Sequence, residues 1–174
     1  SDHELDPAAC VWSKREKDRM ASIIVTVDSE TGATPQAVFA VLTDPSRMPE
    51  WANGIKSGEW ISRPSAAPGR RFKVKYKYGR KTHDIKMEII AIKPNALFEY
   101  HTVKGPYPIK VKFALSRTSG GTSITYTQIA SSDSKLSALG FHLTGWFAKL
   151  MARRILRKNL VKLGNAANAT GQLV

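Results

Sequence analysis

A single cysteine, Cys10, stands among 174 residues, so the chain has neither an internal disulfide nor a cysteine-based zinc site. Its four histidines, His3, His83, His101 and His142, show no metal-ligand spacing, and no metal or other cofactor is expected. HExxH, a nucleophile elbow and a glycine-rich phosphate loop are all missing, which weighs against hydrolase, kinase and dinucleotide chemistry. No run approaches the roughly 18 consecutive apolar residues that span a bilayer. The first residues carry Asp2, Glu4 and Asp6 around no apolar segment and do not read as a secretory signal. A reducing, cytoplasmic setting is the expectation. Acids are scarce as well: 14 against 27 lysines and arginines, for a net charge of +13. Such a surface attracts polyanions or simply keeps a protein soluble.

What is present is an ordinary globular composition, 42% hydrophobic and 9% aromatic, with enough chain for one sizeable core. Residues 1–19 mix charges around Trp12 without periodicity and read as a disordered leader or an appended segment. Regular patterning begins at Met20, and a domain over residues 20–165 followed by a flexible tail, 166–174, is predicted. Ile23, Val25 and Val27 alternate as one face of a first strand. Thr34-Pro35 then opens a short helix, with threonine as cap and proline in the first turn. Asp44-Pro45 ends it, because the residue before proline is pushed from the helical region. A second short helix or turn over Arg47–Asn53 places Trp51 beside Pro49.

From Ile55 to Ser131 six more strands follow, separated by short turn signals, so an antiparallel meander is predicted. Phe72, Val74, Tyr76 and Tyr78 alternate with Arg71, Lys73, Lys75 and Lys77, giving one buried and one wet face. Ile85, Met87 and Ile89 share a face, as do Ile109, Val111, Phe113 and Leu115. A long helix begins after Asp133 and is expected to stop at Gly164-Asn165. At 100° per residue, Leu136, Leu139, Leu143, Trp146, Phe147 and Leu150 form the stripe that should grip the apolar sheet face. Leu156, Leu160 and Leu163 form a second stripe on nearly the opposite side. Either the helix bends near Ala152 or its last turns leave the sheet.

The fold class is therefore α+β: a curved seven-stranded antiparallel sheet wrapped around a long C-terminal helix, with two short helices after the first strand. A curling sheet and one helix do not close-pack everywhere, and the gap between them should be an apolar ligand cavity. The stretch Ala33-Thr34-Pro35-Gln36-Ala37-Val38-Phe39, then Leu42-Thr43-Asp44-Pro45 and Pro49-Glu50-Trp51, resembles the opening of the START-like helix-grip (SRPBCC) superfamily. The likeness is to its polyketide cyclase/dehydrase and lipid-transport branch and covers about Ser22–Asn165. It implies binding or transport of a hydrophobic small molecule such as a lipid, isoprenoid or polyketide. Enzymes of the cyclase, aromatase or dehydratase kind use the same superfold, so an enzymatic role stays open.

The predicted ligand-binding residues are Trp51 near the short helices and Phe72, Val74, Tyr76, His83, Ile85 and Met87 on the first long hairpin. Tyr100, Val111, Phe113 and Tyr126 line the later strands, with Leu143, Trp146, Phe147 and Leu150 as the roof. Trp51 is a ligand contact or a structural plug. His83 and Tyr100 are the candidate proton shuttles; alternatively His83 bonds a neighbouring strand or water. Buried tyrosine hydroxyls need partners, so Tyr76, Tyr78, Tyr100 and Tyr126 point either to an oxygen-bearing ligand or to bonds with backbone carbonyls.

Two basic clusters stand outside this scheme. Lys149, Arg153, Arg154, Arg157, Lys158 and Lys162 crowd the helix end with no acid after Asp133. They complement the helix dipole or meet an anionic membrane surface or a partner protein. Arg70, Arg71, Lys73, Lys75, Lys77, Arg80 and Lys81 line the outward face of one hairpin. No aromatics interleave them, so nucleic acid is not the expected partner, and a solvated face that discourages edge pairing is the simpler reading.

Overall fold

In the computed structural model the described residues are 21–61, 65–106, 108–132 and 135–171, with the side chains of 21, 22 and 131–148 excepted. The expected leader lies outside them. The elements run β1 (Ala21–Thr31), α1 (Pro35–Leu42), a 3-10 turn (Pro45–Arg47), α2 (Met48–Trp51), β2 (Ile55–Trp60), β3 (Arg71–Tyr78) and β4 (Lys81–Lys93). They continue through β5 (Leu97–Lys104), β6 (Ile109–Thr118), β7 (Gly121–Ser132) and α3 (Lys135–Gly171). No described helix is long and apolar enough to cross a membrane.

The threonine cap read from sequence is present, and the structure adds a second at Asp44. Thr34 Oγ1 accepts from the Ala37 amide at 3.2 Å, and Asp44 Oδ1 accepts from the Ser46 amide at 2.9 Å. The seven strands form one antiparallel sheet in the order β1-β7-β6-β5-β4-β3-β2. Register slips between Ile55 and Ser57, between Lys86 and Met87, and between Ile89 and Ala91 mark bulges, which bend strands and strengthen twist. The sheet is curved accordingly. Gly58 lets β2 pass the preceding turn, since a Cβ there would collide with the Pro45 carbonyl oxygen.

The helix departs from expectation in two ways. It continues past Gly164 to Gly171, so residues 166–171 are helical rather than a tail, and Ala167 is wholly buried. Gly164 is not a stop but a contact: a Cβ there would meet Thr31 Oγ1 at 2.8 Å and Thr31 Cβ at 2.9 Å. Small side chains let the last turns close on the end of β1. Among the described residues, the stripe that grips is the later one. Leu160, Leu163 and Ala167 are buried and Leu156 packs beside them, against β1, α1 and α2. The last turns therefore hold the sheet instead of leaving it. Leu150, expected in the roof, is 46% exposed, because it sits on the side of the helix away from Leu156 and Leu163. The side chains of Leu136, Leu139, Leu143, Trp146 and Phe147 lie outside the described residues.

Topology gives the sheet two unlike ends. The β4–β5 and β6–β7 turns share one end with Thr31, where α1 and the last turns of α3 close over Leu115, Ile124 and Val27. That end is filled. The β3–β4 turn and the β5–β6 connection lie at the other end. Arg47 ties the turn region to the helix, with Nη1 donating to Thr170 Oγ1 at 2.9 Å while Nη2 meets Glu50 at 2.7 Å.

Hydrogen bonding and charge from Arg47 hold the Glu50 carboxyl below its usual range. A depressed folded pKa contributes stability above the ordinary glutamate range, lost as pH falls through the folded value. The pair is solvent-screened, so Glu50→Gln should cost on the order of 0.5 kcal/mol at pH 7. In urea melts that difference should vanish under acid conditions; a constant difference across pH would show that the charge is immaterial.

Candidate functional site

At the open end, the sheet and helix enclose a cavity of about 590 Å³. The β-wall is Val74 and Tyr76 of β3, Ile85 and Met87 of β4, Tyr100 of β5, Ile109 of β6, and Tyr126, Gln128 and Ala130 of β7. The facing wall is Met48, Trp51 and Ala52 with Ala152, Ile155, Leu156 and Asn159 of α3. Period-two alternation delivers these strand residues to one face, and α3 supplies i, i+3, i+4 and i+7 positions from one side.

Seven of the sequence-predicted contacts are thus brought together: Trp51, Val74, Tyr76, Ile85, Met87, Tyr100 and Tyr126. Phe72, Val111 and Phe113 face inward but stand behind the cavity wall, fully packed. Phe72 meets Tyr100 edge-on at 5.4 Å, and Phe113 meets both Tyr126 at 4.7 Å and Trp51 at 5.7 Å. These rings pack against three of the aromatic side chains that reach the hollow, Trp51, Tyr100 and Tyr126. His83 pairs with Tyr76 across the β3–β4 ladder and is half-buried, yet it is not among the lining residues. It therefore does not join Tyr100 in one site. Leu150 is not part of the wall either.

Sequence parity missed the contributors from loops and polar positions. Pro106 and Pro108 in the β5–β6 connection, Gln128, and the Asn53–Asn159 pair carry no apolar signature. Asn159 Oδ1 accepts from the Asn53 amide at 3.1 Å and so staples α3 to the segment after α2. Ala152 and Leu156 were legible as helix-face residues, but the more apolar stripe before them drew the assignment.

The polar content of the wall is specific. The Tyr126 hydroxyl donates to Gln128 Oε1, leaving the amide NH2 of Gln128 and the phenolic oxygen for further bonds. Burial pushes the Tyr100 phenol far above its usual range, and burial with the neighbouring Tyr100 does the same to Tyr126. Both stay protonated at neutral pH and do not act as bases; with the Tyr126 proton on Gln128, the amide NH2 of Gln128 is the donor of that pair. Among the described lining residues, tyrosines are the only titratable groups.

The family described as polyketide cyclase/dehydrase and lipid transport matches residues 20–168. No curated protein matches the chain in sequence. Among solved structures, a protein of unknown function, SA2116 from Staphylococcus aureus, superposes with a TM-score of 0.70 at 10% identity, covering 89% of this chain and 99% of its own. TTHA0849 from Thermus thermophilus gives 0.69 at 14% identity, with 85% and 99% covered. The di-domain ARO/CYC StfQ from the steffimycin biosynthetic pathway gives 0.65 at 16% identity, covering 90% of this chain and 53% of that one. At these identities the likeness establishes the helix-grip fold.

Proposed function

Because the chain belongs to the polyketide cyclase/dehydrase and lipid-transport family, we propose that it binds or carries a hydrophobic small molecule, a lipid, isoprenoid or polyketide-like compound, in the cavity under α3. The observation that supports this reading is the pairing of a roughly 590 Å³ apolar hollow with one polar cluster, Tyr100, Tyr126 and Gln128. Volumes of about 300–1,000 Å³ with few polar groups suit drug-sized ligands. Apolar burial contributes about 25 cal/mol per Å², so a ligand losing about 300 Å² gains roughly 7 kcal/mol before association costs. The protonated phenols and the glutamine amide favour a hydroxyl or carbonyl at the ligand's polar end. A carboxylate would meet no cation in the described wall and is disfavoured.

The second reading is a cyclase, aromatase or dehydratase acting in the same hollow. It draws on the same tyrosine cluster and on the fold shared with an ARO/CYC protein. Here Tyr100 and the Gln128 amide would orient ketone oxygens, and His83 would need to move into the cavity to shuttle protons.

Filling the hollow tests the first reading. Ala152→Trp should lower affinity for N-phenyl-1-naphthylamine, a neutral lipophilic fluorophore, by about 10-fold or more. Its melting temperature should stay near that of the parent, since the new ring enters space already empty. Unchanged fluorescence titrations in a folded Ala152→Trp protein would refute cavity binding.

A further inference from the structure

The strands and helix that line the cavity also carry its rim, and the rim has a chemistry of its own. Tyr78 closes β3, lines the cavity and is 65% exposed. Beside it at the hairpin tip stand Lys77, Arg80 and Lys81, all exposed. The end of β5 adds exposed Val103 and Lys104, followed by Pro106 and Pro108 of the β5–β6 connection. From α3, Ile155 lines the cavity while 42% exposed, and Met151 is equally exposed. At 100° per residue, Met151 and Lys158 follow Ile155 around the helix toward solvent.

Apolar side chains in water and cations thus alternate around one opening. Among the described residues, Lys77, Arg80, Lys81, Lys104 and Lys158 form no salt bridge, whereas Arg71, Lys73 and Lys110 elsewhere on the sheet do. From residue 70 to 81 there are seven bases and no acid, and the stretch from Lys135 to Val174 likewise has no acid. A solvated face needs no apolar residues among its charges, and a protein-core face needs no charges among its apolar ones. A phospholipid surface wants both: phosphates for the cations and an acyl boundary for the rest.

We infer that the cavity mouth docks on an anionic phospholipid bilayer, with Tyr78, Met151 and Ile155 entering the headgroup layer and the hairpin-tip cations, Lys104 and Lys158 on lipid phosphates. This rests on the reading of the cavity as a lipophilic ligand site and extends it: the ligand passes between bilayer and cavity without crossing water. Lys93 and Arg117 mark the turns at the opposite end of the sheet, far from the mouth.

Co-sedimentation of the full chain with phosphatidylcholine vesicles, with and without 30% phosphatidylglycerol, tests the inference. Binding is expected to the anionic vesicles only and to fall steeply between about 0.1 and 0.5 M salt. Arg80→Glu/Lys81→Glu and Lys104→Glu/Lys158→Glu should each weaken the partition by roughly 20-fold. Lys93→Glu/Arg117→Glu, which changes net charge equally, should weaken it by less than about 3-fold. Tyr78→Ser/Ile155→Ser should weaken binding while keeping its salt dependence. Equal losses in rim and control variants, or indifference to anionic lipid, would overturn docking at the mouth. So would binding of a single-stranded RNA in place of vesicles. Fluorophore binding in solution separates the two ideas. If N-phenyl-1-naphthylamine binds while vesicles are ignored, the docking inference falls and the cavity reading stands. If rim-dependent vesicle binding persists without fluorophore binding, docking stands and the cavity reading falls.

Discussion

Gly164→Leu should lower stability by about 2–3 kcal/mol, seen as a drop of roughly 4–12 °C in melting temperature. On helix propensity alone the same change should stabilise, by up to about 1 kcal/mol, since glycine is a poor helix interior residue. The sign therefore decides which effect wins. A Cβ at 164 would stand 2.8 Å from Thr31 Oγ1 and 2.9 Å from Thr31 Cβ, and the rest of the leucine would have to push α3 off the end of β1. That movement would also loosen Leu160, Leu163 and Ala167, which are fully or nearly fully buried in the same contact. A stabilised or unchanged Gly164→Leu protein in thermal and urea melts would mean that the helix does not grip here. Thr31→Gly added to Gly164→Ala should recover most of the smaller loss caused by alanine, because it removes the atoms that the new Cβ meets.

Gly164 also shows where sequence reasoning reached its limit. A glycine followed by asparagine and small residues signals a helix end, and the same letters serve close helix-to-strand approach. Only the partner, Thr31, far away in the chain, distinguishes the two. Period-two alternation in β3, β4 and β6 was strong enough to fix which residues face inward, and Val74, Ile85 and Met87 are in the cavity wall. Parity could not tell wall from filling: Phe72, Val111 and Phe113 obey the same alternation but lie where neighbouring elements cover the sheet. The helix presents two apolar stripes, and the buried one among the described residues is the later, Leu156, Leu160 and Leu163. Chain geometry accounts for it: β7 delivers the chain at the open end, so the helix must run back and meet β1 with its later turns. His83 had suitable parity, yet half-burial on β4 keeps it out of the described wall.

Phe113→Ala should cost about 4 kcal/mol, lowering the melting temperature by roughly 8–16 °C. The ring is wholly buried and stands edge-on to Trp51 at 5.7 Å and Tyr126 at 4.7 Å. Its removal takes away transfer energy, leaves a void in the filled half of the molecule, and releases the two aromatics that face the hollow. Met87→Ala is the informative companion. Met87 is buried too, but it borders the cavity, so truncation enlarges an existing space instead of opening a new one. Its cost should be nearer 2 kcal/mol, the low end for a large-to-alanine change. Fluorophore affinity should separate them as well. Phe113→Ala should reduce it by freeing Trp51 and Tyr126, whereas Met87→Ala should leave it within about 3-fold or shift preference toward bulkier probes. Equal stability losses in the two variants would contradict a molecule filled at one end of its sheet and hollow at the other. The ligand reading would then lose its physical basis, because a carrier needs that asymmetry: one half of the interior to hold the fold, the other to hold the cargo.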